Sequence, residues 1–178
     1  MTKLVGIAGK ARSGKDTLVR FLWTRYGFRR LAFADPVKAA AQLMFGLSNQ
    51  EAWDDEFKET VIPYWGKSPR QMFQLLGTEC TKPHFGDDIW IKRLKMAYDL
   101  LKNTDDIVIP DVRFEAEATW IREQGGTIIH LIRDDAPAVN AHISEAGVVR
   151  QYGDIVLHNN ATLDELFVKA GKIVEEVL

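Results

Sequence analysis

The sequence predicts a three-layer α/β domain built on a five-stranded parallel sheet. Three observations carry that prediction. Short apolar runs alternate with amphipathic helical segments along the chain, the pattern produced by strands joined through crossover helices. The run Ile107-Val108-Ile109 is apolar at every position, as a strand covered on both faces requires. The length of 178 residues suits one domain, in which folding buries roughly 70% of the surface an unfolded chain exposes. Residues 1–178 are therefore read as a single domain with one core and no need of disulfides.

The elements follow in order. Leu4 to Ala8 form the first strand and run straight into a glycine-rich turn. A helix starts near Gly14 and carries Leu18, Val19, Leu22 and Tyr26 on one face; Gly27 stops it. Phe28 to Ala34 read as a second strand, weakened by its arginines. Asp35-Pro36 open the next helix, with Asp35 as N-cap and Pro36 at the first helical position. Residues 46–66 read as a broken helical segment with a mobile loop, marked by Trp53, Trp65 and several acids. Ser68-Pro69-Arg70-Gln71 is a capping box that begins a helix through Met72, Phe73, Leu75 and Leu76. Asp87 and Asp88 introduce another helix, with Trp90, Ile91, Leu94, Tyr98 and Leu101 on one face. After the apolar third strand, a helix with Ala116, Trp120 and Ile121 ends at Gly125-Gly126. Thr127 to Ile132 form the fourth strand, and Asp154 to Leu157 the fifth. Thr162 to Glu165 make a second capping box before a closing helix.

Composition narrows the function classes. Hydrophobic residues make up 46% and charged residues 27% of the chain, an ordinary globular balance. The formal net charge is −2, and no basic stripe is present, which argues against a nucleic-acid-binding module and against bulk attraction to anionic membranes. Cys80 is the only cysteine, so it has no internal disulfide partner and makes no metal site by itself. The apolar start is broken by glycines within a few residues, unlike a signal peptide. No apolar stretch nears the ~20 residues of a membrane span, and a cytoplasmic location is the expectation.

The segment Gly9-Lys10-Ala11-Arg12-Ser13-Gly14-Lys15-Asp16-Thr17 matches G-x-x-x-x-G-K between a strand and a helix, the context in which that motif cradles phosphates. Gly9 and Gly14 permit a tight turn whose amides face inward as an anion nest, and the helix behind it adds its dipole. Lys15 can then reach β- and γ-phosphates. Directly after the lysine stands Asp16, where Ser or Thr is usual, and Thr17 follows. G-K-x-T is the arrangement of nucleoside monophosphate kinases, which assigns Thr17 to a phosphate or to a magnesium water. Asp16 faces the metal and its water shell, or serves simply as an acid in the first helical turn.

Ligands of open α/β sheets bind beyond the carboxyl ends of the strands. Asp111 and Arg113 follow the third strand there: an acid at that position holds magnesium or positions a nucleophile, and an arginine pairs bidentately with phosphate. Arg70 and Gln74 lie one helical turn apart on one face, suited to a phosphate and a base edge. Asp35 and Lys38 are weaker candidates on the preceding helix. Arg133 ends the fourth strand, and Arg150 follows a polar stretch containing His142, Ser144 and Glu145; residues 133–152 read as a lid over ATP or as an ordinary connection. His142 is not taken as a base, because a phosphate acceptor is already anionic.

These residues together resemble the phage-type deoxynucleoside monophosphate kinases. The resemblance rests on the loop at 9–17, on Ile109-Pro110-Asp111-Val112-Arg113, on Gly125 to His130, on His142 to Gly147, on Arg70, Gln74, Gly77, Thr78 and Glu79, and on Trp90-Ile91-Lys92. It covers most of the chain except residues 46–66. It implies a P-loop kinase fold and a magnesium-dependent transfer of the ATP γ-phosphate to a deoxynucleoside monophosphate. By that carry-over Gly9, Lys10, Arg12, Ser13, Gly14, Lys15, Asp16 and Thr17, with Arg133 and Arg150, serve ATP; Asp35, Lys38, Arg70, Gln74, Gly77, Thr78, Trp90, Asp111 and Arg113 serve the monophosphate; Asp16, Thr17 and Asp111 serve Mg2+; and Lys15, Arg113 and Arg133 act on the transferring group. It further implies a phage source and small-molecule nucleotide partners, and allows a homodimer. Two alternatives stay open on the residues alone: a P-loop kinase for another acceptor, such as dephospho-coenzyme A or phosphomevalonate, and a non-catalytic nucleotide-binding switch.

Overall fold

A computed structural model describes residues 2–54, 56–134 and 147–178. In chain order the elements are β1 (Leu4–Ala8), α1 (Lys15–Tyr26), β2 (Arg29–Arg30), α2 (Asp35–Phe45), α3 (Asn49–Trp53), a 3-10 turn (Phe57–Glu59), α4 (Pro69–Gln74), a π-helical turn (Leu75–Cys80), α5 (Lys82–Phe85), α6 (Ile89–Leu101), β3 (Ile107–Val112), α7 (Glu115–Glu123), β4 (Thr127–Ile132), β5 (Ile155–His158) and α8 (Leu163–Glu176). They form two compact units, one of Met1–Ala32 with Lys95–Leu178 and one of Phe33–Leu94.

The first unit holds the sheet. Its order is β2-β3-β1-β4-β5, and every pairing is parallel. The five-stranded parallel sheet expected from the sequence is therefore present. The two central strands β1 and β3 are apolar throughout their buried stretches. Successive residues of β1 serve opposite faces. Val5 and Ile7 join Leu18, Val19 and Leu22 of α1 and Leu166, Ala170 and Val174 of α8 in one core. Gly6 points to the other face, where a Cβ would come within 2.8 Å of Ile121 on α7. Helices thus cover both sides of the sheet, and Phe21 of α1 stacks on Phe167 of α8 at 4.5 Å between ring centres.

The helix ends obey their local signals. Gly27 closes α1 at φ 75° and donates to the Trp23 carbonyl. Thr162 accepts from the Glu165 amide, the forward bond of its capping motif. Two strand expectations need correction. The second strand shrinks from Phe28–Ala34 to Arg29–Arg30, because it is an exposed edge that pairs only with β3 before the chain turns toward α2; a short, charged edge strand resists further pairing. The fifth strand runs Ile155–His158, one residue later than expected.

The second unit is helical. Ala41, Leu47 and Met72 form its centre, with Phe45, Ile62, Phe73 and Leu76 packed around them. The box at Ser68 is present in both directions: Ser68 Oγ accepts from the Gln71 amide, and Gln71 accepts from the Ser68 amide at 2.9 Å. Asp35 is not the N-cap. The Lys38 amide already donates to the Ala34 carbonyl, so Ala34 takes that position and Asp35 becomes the first helical residue. The 46–66 stretch contains α3, capped reciprocally by Ser48 and Glu51, then the 3-10 turn and a bridge between Ile62 and Lys67.

A buried ion pair anchors the start of β5. The Asp154 side chain is 3% exposed and accepts from Arg122 Nη2 at 2.7 Å and from Arg122 Nε at 3.1 Å. Burial pushes the Asp154 carboxyl up, but Arg122, the Gln151 amide and His130 together outweigh it and hold the group down at about 2. A carboxyl held below its unfolded value stabilises the fold fully above about pH 4, and that contribution disappears as pH falls toward about 2. The loss should be on the order of 2 kcal/mol. Urea titrations across that window are expected to show it in the parent chain and to show a smaller change in Asp154→Asn.

Candidate functional site

The strand–loop–helix of the first unit creates an anion-sized turn from backbone alone. Gly9 leaves β1 where a Cβ would lie 2.5 Å from the Leu131 carbonyl oxygen. Gly14 sits at φ 99° and ψ 19°, the left-handed region that suits glycine. A Cβ there would meet Asn159 Nδ2 at 2.4 Å. Arg12 also has positive φ, at 62°, and backbone strain of this kind gathers at ligand-binding turns. Gly14 is the N-cap of α1 and no side chain caps that end, which leaves the first-turn amides without a capping side-chain oxygen, the condition of an anion site at a helix start. Lys15 Nζ lies back across the loop and donates to the carbonyls of Gly9 at 2.8 Å and Lys10 at 2.7 Å. Asp16 is exposed and Thr17 half-buried on that first turn. Ser13 Oγ is buried without a hydrogen-bond partner.

Asn159 belongs to this turn although no sequence signal selected it. It is buried, its Nδ2 donates to the Ser13 carbonyl at 2.8 Å, and its amide donates to the Ile132 carbonyl at 2.8 Å. Asn160 beside it exchanges bonds with Asp134. These two residues follow β5 directly, so the rule about strand ends could have drawn attention to them.

At the end of β3 the pairing with β1 is irregular. Gly6 pairs with Ile109 and Ala8 with Val112, so three steps on β3 oppose two on β1. Pro110 lies in that stretch and offers no N–H to the ladder. Such a bulge re-aims the side chains it carries, here Asp111. The strand therefore extends to Val112 and contains Asp111, rather than ending at Ile109. Arg113 follows, its amide donating to Glu117 Oε2 at 2.8 Å, with the Phe114 amide on the same oxygen at 3.0 Å. Glu117 is buried and caps the start of α7. Arg133 follows β4 and is exposed. Arg150 lies in the segment leading into β5 and is also exposed. His142, Ser144, Glu145 and most of the 133–152 stretch lie outside the described residues.

The acceptor candidates on the second unit are organised among themselves. Arg70, 13% exposed, bonds through Nε to the Glu59 carboxylate. Lys38 Nζ stands 4.2 Å above the Trp53 ring, a cation–π contact. Trp90 Nε1 donates to the Gly77 carbonyl at 2.6 Å, and Gly77 packs closely against Val37, 3.2 Å from its would-be Cβ. Gly77 and Thr78 lie in the π-helical turn that continues α4; such turns are rare and recur at functional sites. Gln74 ends α4 and lines a cleft with Lys67, Gln71, Leu75 and Glu79. Its Nε2 is buried and has no hydrogen-bond partner. Asp35 occupies the first turn of α2.

The turn fits a polyphosphate: its two glycines carry no side chain of their own, the helix end has no side-chain cap, and Lys15 reaches across the loop. Among the described residues no group of three His, Cys, Asp or Glu side chains forms a metal cage, and no helix is long and apolar enough to cross a membrane.

Comparison with known proteins agrees with this geometry. The family model for deoxynucleotide monophosphate kinase matches residues 55–170. A protein of Acanthamoeba polyphaga mimivirus named after the same activity is 35% identical, over 92% of this chain and 92% of its own length. The deoxynucleotide monophosphate kinase of Enterobacteria phage T4 is 26% identical, over 94% of this chain and 96% of its own. Among solved structures, the dephospho-CoA kinase from Campylobacter jejuni superposes with a TM-score of 0.52 at 15% identity, covering 99% of this chain and 98% of its own, a likeness of fold.

Two substitutions test the turn. Asn159→Ala removes the donor to the Ser13 carbonyl and should cost about 1–2 kcal/mol of stability, with a several-fold rise in KM for the donor nucleotide. Gly14→Ala forces a Cβ into a left-handed residue and onto Asn159, and should weaken nucleotide binding more than it lowers Tm. Melting curves beside steady-state kinetics check both.

Proposed function

Because the chain belongs to the deoxynucleotide monophosphate kinase family, we propose that it transfers the γ-phosphate of ATP to a deoxynucleoside monophosphate, giving ADP and a deoxynucleoside diphosphate. The observation that carries the reading is the uncapped start of α1 behind Gly9–Lys15. Its amides and dipole suit the β- and γ-phosphates. Lys15 exchanges its two loop carbonyls for phosphate oxygens and follows the charge as it moves.

In the transfer, a phosphate oxygen of the acceptor forms a bond to the γ-phosphorus while the bond from that phosphorus to the β,γ-bridging oxygen breaks. No proton has to be removed from the acceptor, which is why no histidine is required. Arg113 and Arg133 are assigned to the charge on the transferring group. Bound Mg2+ would neutralise charge on the phosphates, with Thr17, Asp111 and Asp16 as its candidate holders through oxygen or water.

Arg70 is assigned to the acceptor phosphate. It already holds a carboxylate, bonding through Nε to Glu59, and a phosphate oxygen can take that place. Gln74 carries a buried amide nitrogen with no acceptor, an arrangement that costs about 1–3 kcal/mol until it is satisfied. A carbonyl oxygen on the edge of the acceptor base would satisfy it. Lys38, Trp90, Thr78, Gly77 and Asp35 complete the proposed acceptor set. The reaction is placed in the cytoplasm, with no nucleic acid as partner.

Three results test the proposal. ADP release with magnesium ATP should rise on adding one or more deoxynucleoside monophosphates and should not rise with dephospho-coenzyme A or phosphomevalonate. Lys15→Ala should lower kcat by at least about 10²-fold in a folded protein, the scale of one lost charge-stabilising donor; a folded mutant that retains turnover removes Lys15 from the mechanism. Arg70→Ala should raise KM for the acceptor and leave KM for ATP near the parent value.

A further inference from the structure

We propose that Glu115 and Arg122 of α7 are positioning residues that hold the backbone on both sides of Arg150 and so aim its guanidinium at the donor phosphates. The proposal rests on the assignment of Arg150 to ATP. Among the described residues this segment is weakly packed: Val148 is half-buried, Val149 is 71% exposed and Tyr152 lies fully in solvent. Its attachment is polar, and it converges on those two side chains.

Glu115 Oε2 accepts from the Val149 amide at 3.1 Å, and Glu115 Oε1 accepts from Gln151 Nε2 at 3.0 Å. Arg122 Nη2 donates to the Val149 carbonyl at 3.3 Å. Both backbone polar groups of the residue before Arg150 are thus bound to α7. The residue after Arg150 is bound twice, because the Gln151 amide also donates to Asp154 Oδ2 at 2.9 Å. Arg122 Nη1 bonds to Glu115 Oε1 at 2.9 Å while its other nitrogens grip Asp154. His130 Nε2 reaches the same Asp154 oxygen at 2.9 Å. The result is a closed chain of bonds from α7 to β4 and to the start of β5, with exposed Arg150 between two of the bonded residues. An arginine used for charge stabilisation acts best from a backbone fixed to within about 0.5 Å, and these bonds fix the backbone on both sides of Arg150. Glu115 lies two residues after Arg113, so the same helix end sets two arginines of the proposed site.

The test is a double-mutant cycle on kcat/KM for ATP with the full-length protein. Arg150→Ala should lower that ratio at least about tenfold. Glu115→Ala should lower it by a comparable factor, leave KM for the acceptor within about twofold, and leave Tm close to the parent, since the Glu115 side chain is 43% exposed. In the Arg150→Ala background Glu115→Ala should add nothing, the signature of two residues acting as one. Glu115→Gln keeps one acceptor oxygen and should restore part of the activity. Gln151→Ala, which cuts a single strap, should give a smaller loss in the same direction. Independent, multiplying effects of Glu115 and Arg150, or a Glu115→Ala protein with parent kinetics and a lowered Tm, would overturn the positioning role while leaving Arg150 in the donor site. Parent-like kinetics in Arg150→Ala would instead overturn the assignment of Arg150, and the positioning role with it.

Discussion

The hydrogen-bonding groups at the start of α1 have no side-chain cap, and the site is organised around that deficit. A helix normally satisfies its first amides with a Ser, Thr, Asp or Asn oxygen. Here Gly14 stands at that position in a left-handed conformation, and no side-chain oxygen takes the capping place. The sheet makes the arrangement stable. β1 delivers the loop at Gly9 against the Leu131 carbonyl of β4, and Asn159 beyond β5 holds the Ser13 carbonyl. Three neighbouring parallel strands therefore fix one turn.

The same economy governs the arginines. Two of them, Arg113 and Arg150, are tied through the backbone beside them. Arg113 follows a bulge at Pro110–Asp111 and precedes a helix whose start is tied by Glu117 to the Arg113 and Phe114 amides. Arg150 is flanked by residues tied to Glu115 and Arg122. In each case a buried or half-buried acid on α7 accepts from a main-chain amide at or beside the arginine. Preorganised cations of this kind need little rearrangement when charge moves in the transition state.

Much of this was readable from the chain because local chemistry dictates it. The G-x-x-x-x-G-K spacing, the Gly27 stop and the Ser68–Gln71 box each depend on bonds spanning a few residues, and each is found where the residues indicate. What was not readable depends on distant partners. Asn159 meets Ser13 across 146 positions, and no periodicity marks such a pair. The edge strand shortened because sheet position, not propensity, sets its length. The continuation of α4 into a π-helical turn at Leu75–Cys80 and the shift of the α2 cap from Asp35 to Ala34 are decided by packing and by a single backbone bond, which leave no residue signature.

The most direct measurement of the central claim is amide hydrogen exchange across residues 9–17, with and without a non-hydrolysable ATP analogue and magnesium. If the first-turn amides of α1 are the phosphate site, exchange at Gly14 to Thr17 should slow markedly on adding the analogue and should not respond to deoxyadenosine alone. Unchanged exchange there, under conditions where calorimetry shows the analogue bound, would place the triphosphate elsewhere and contradict the account.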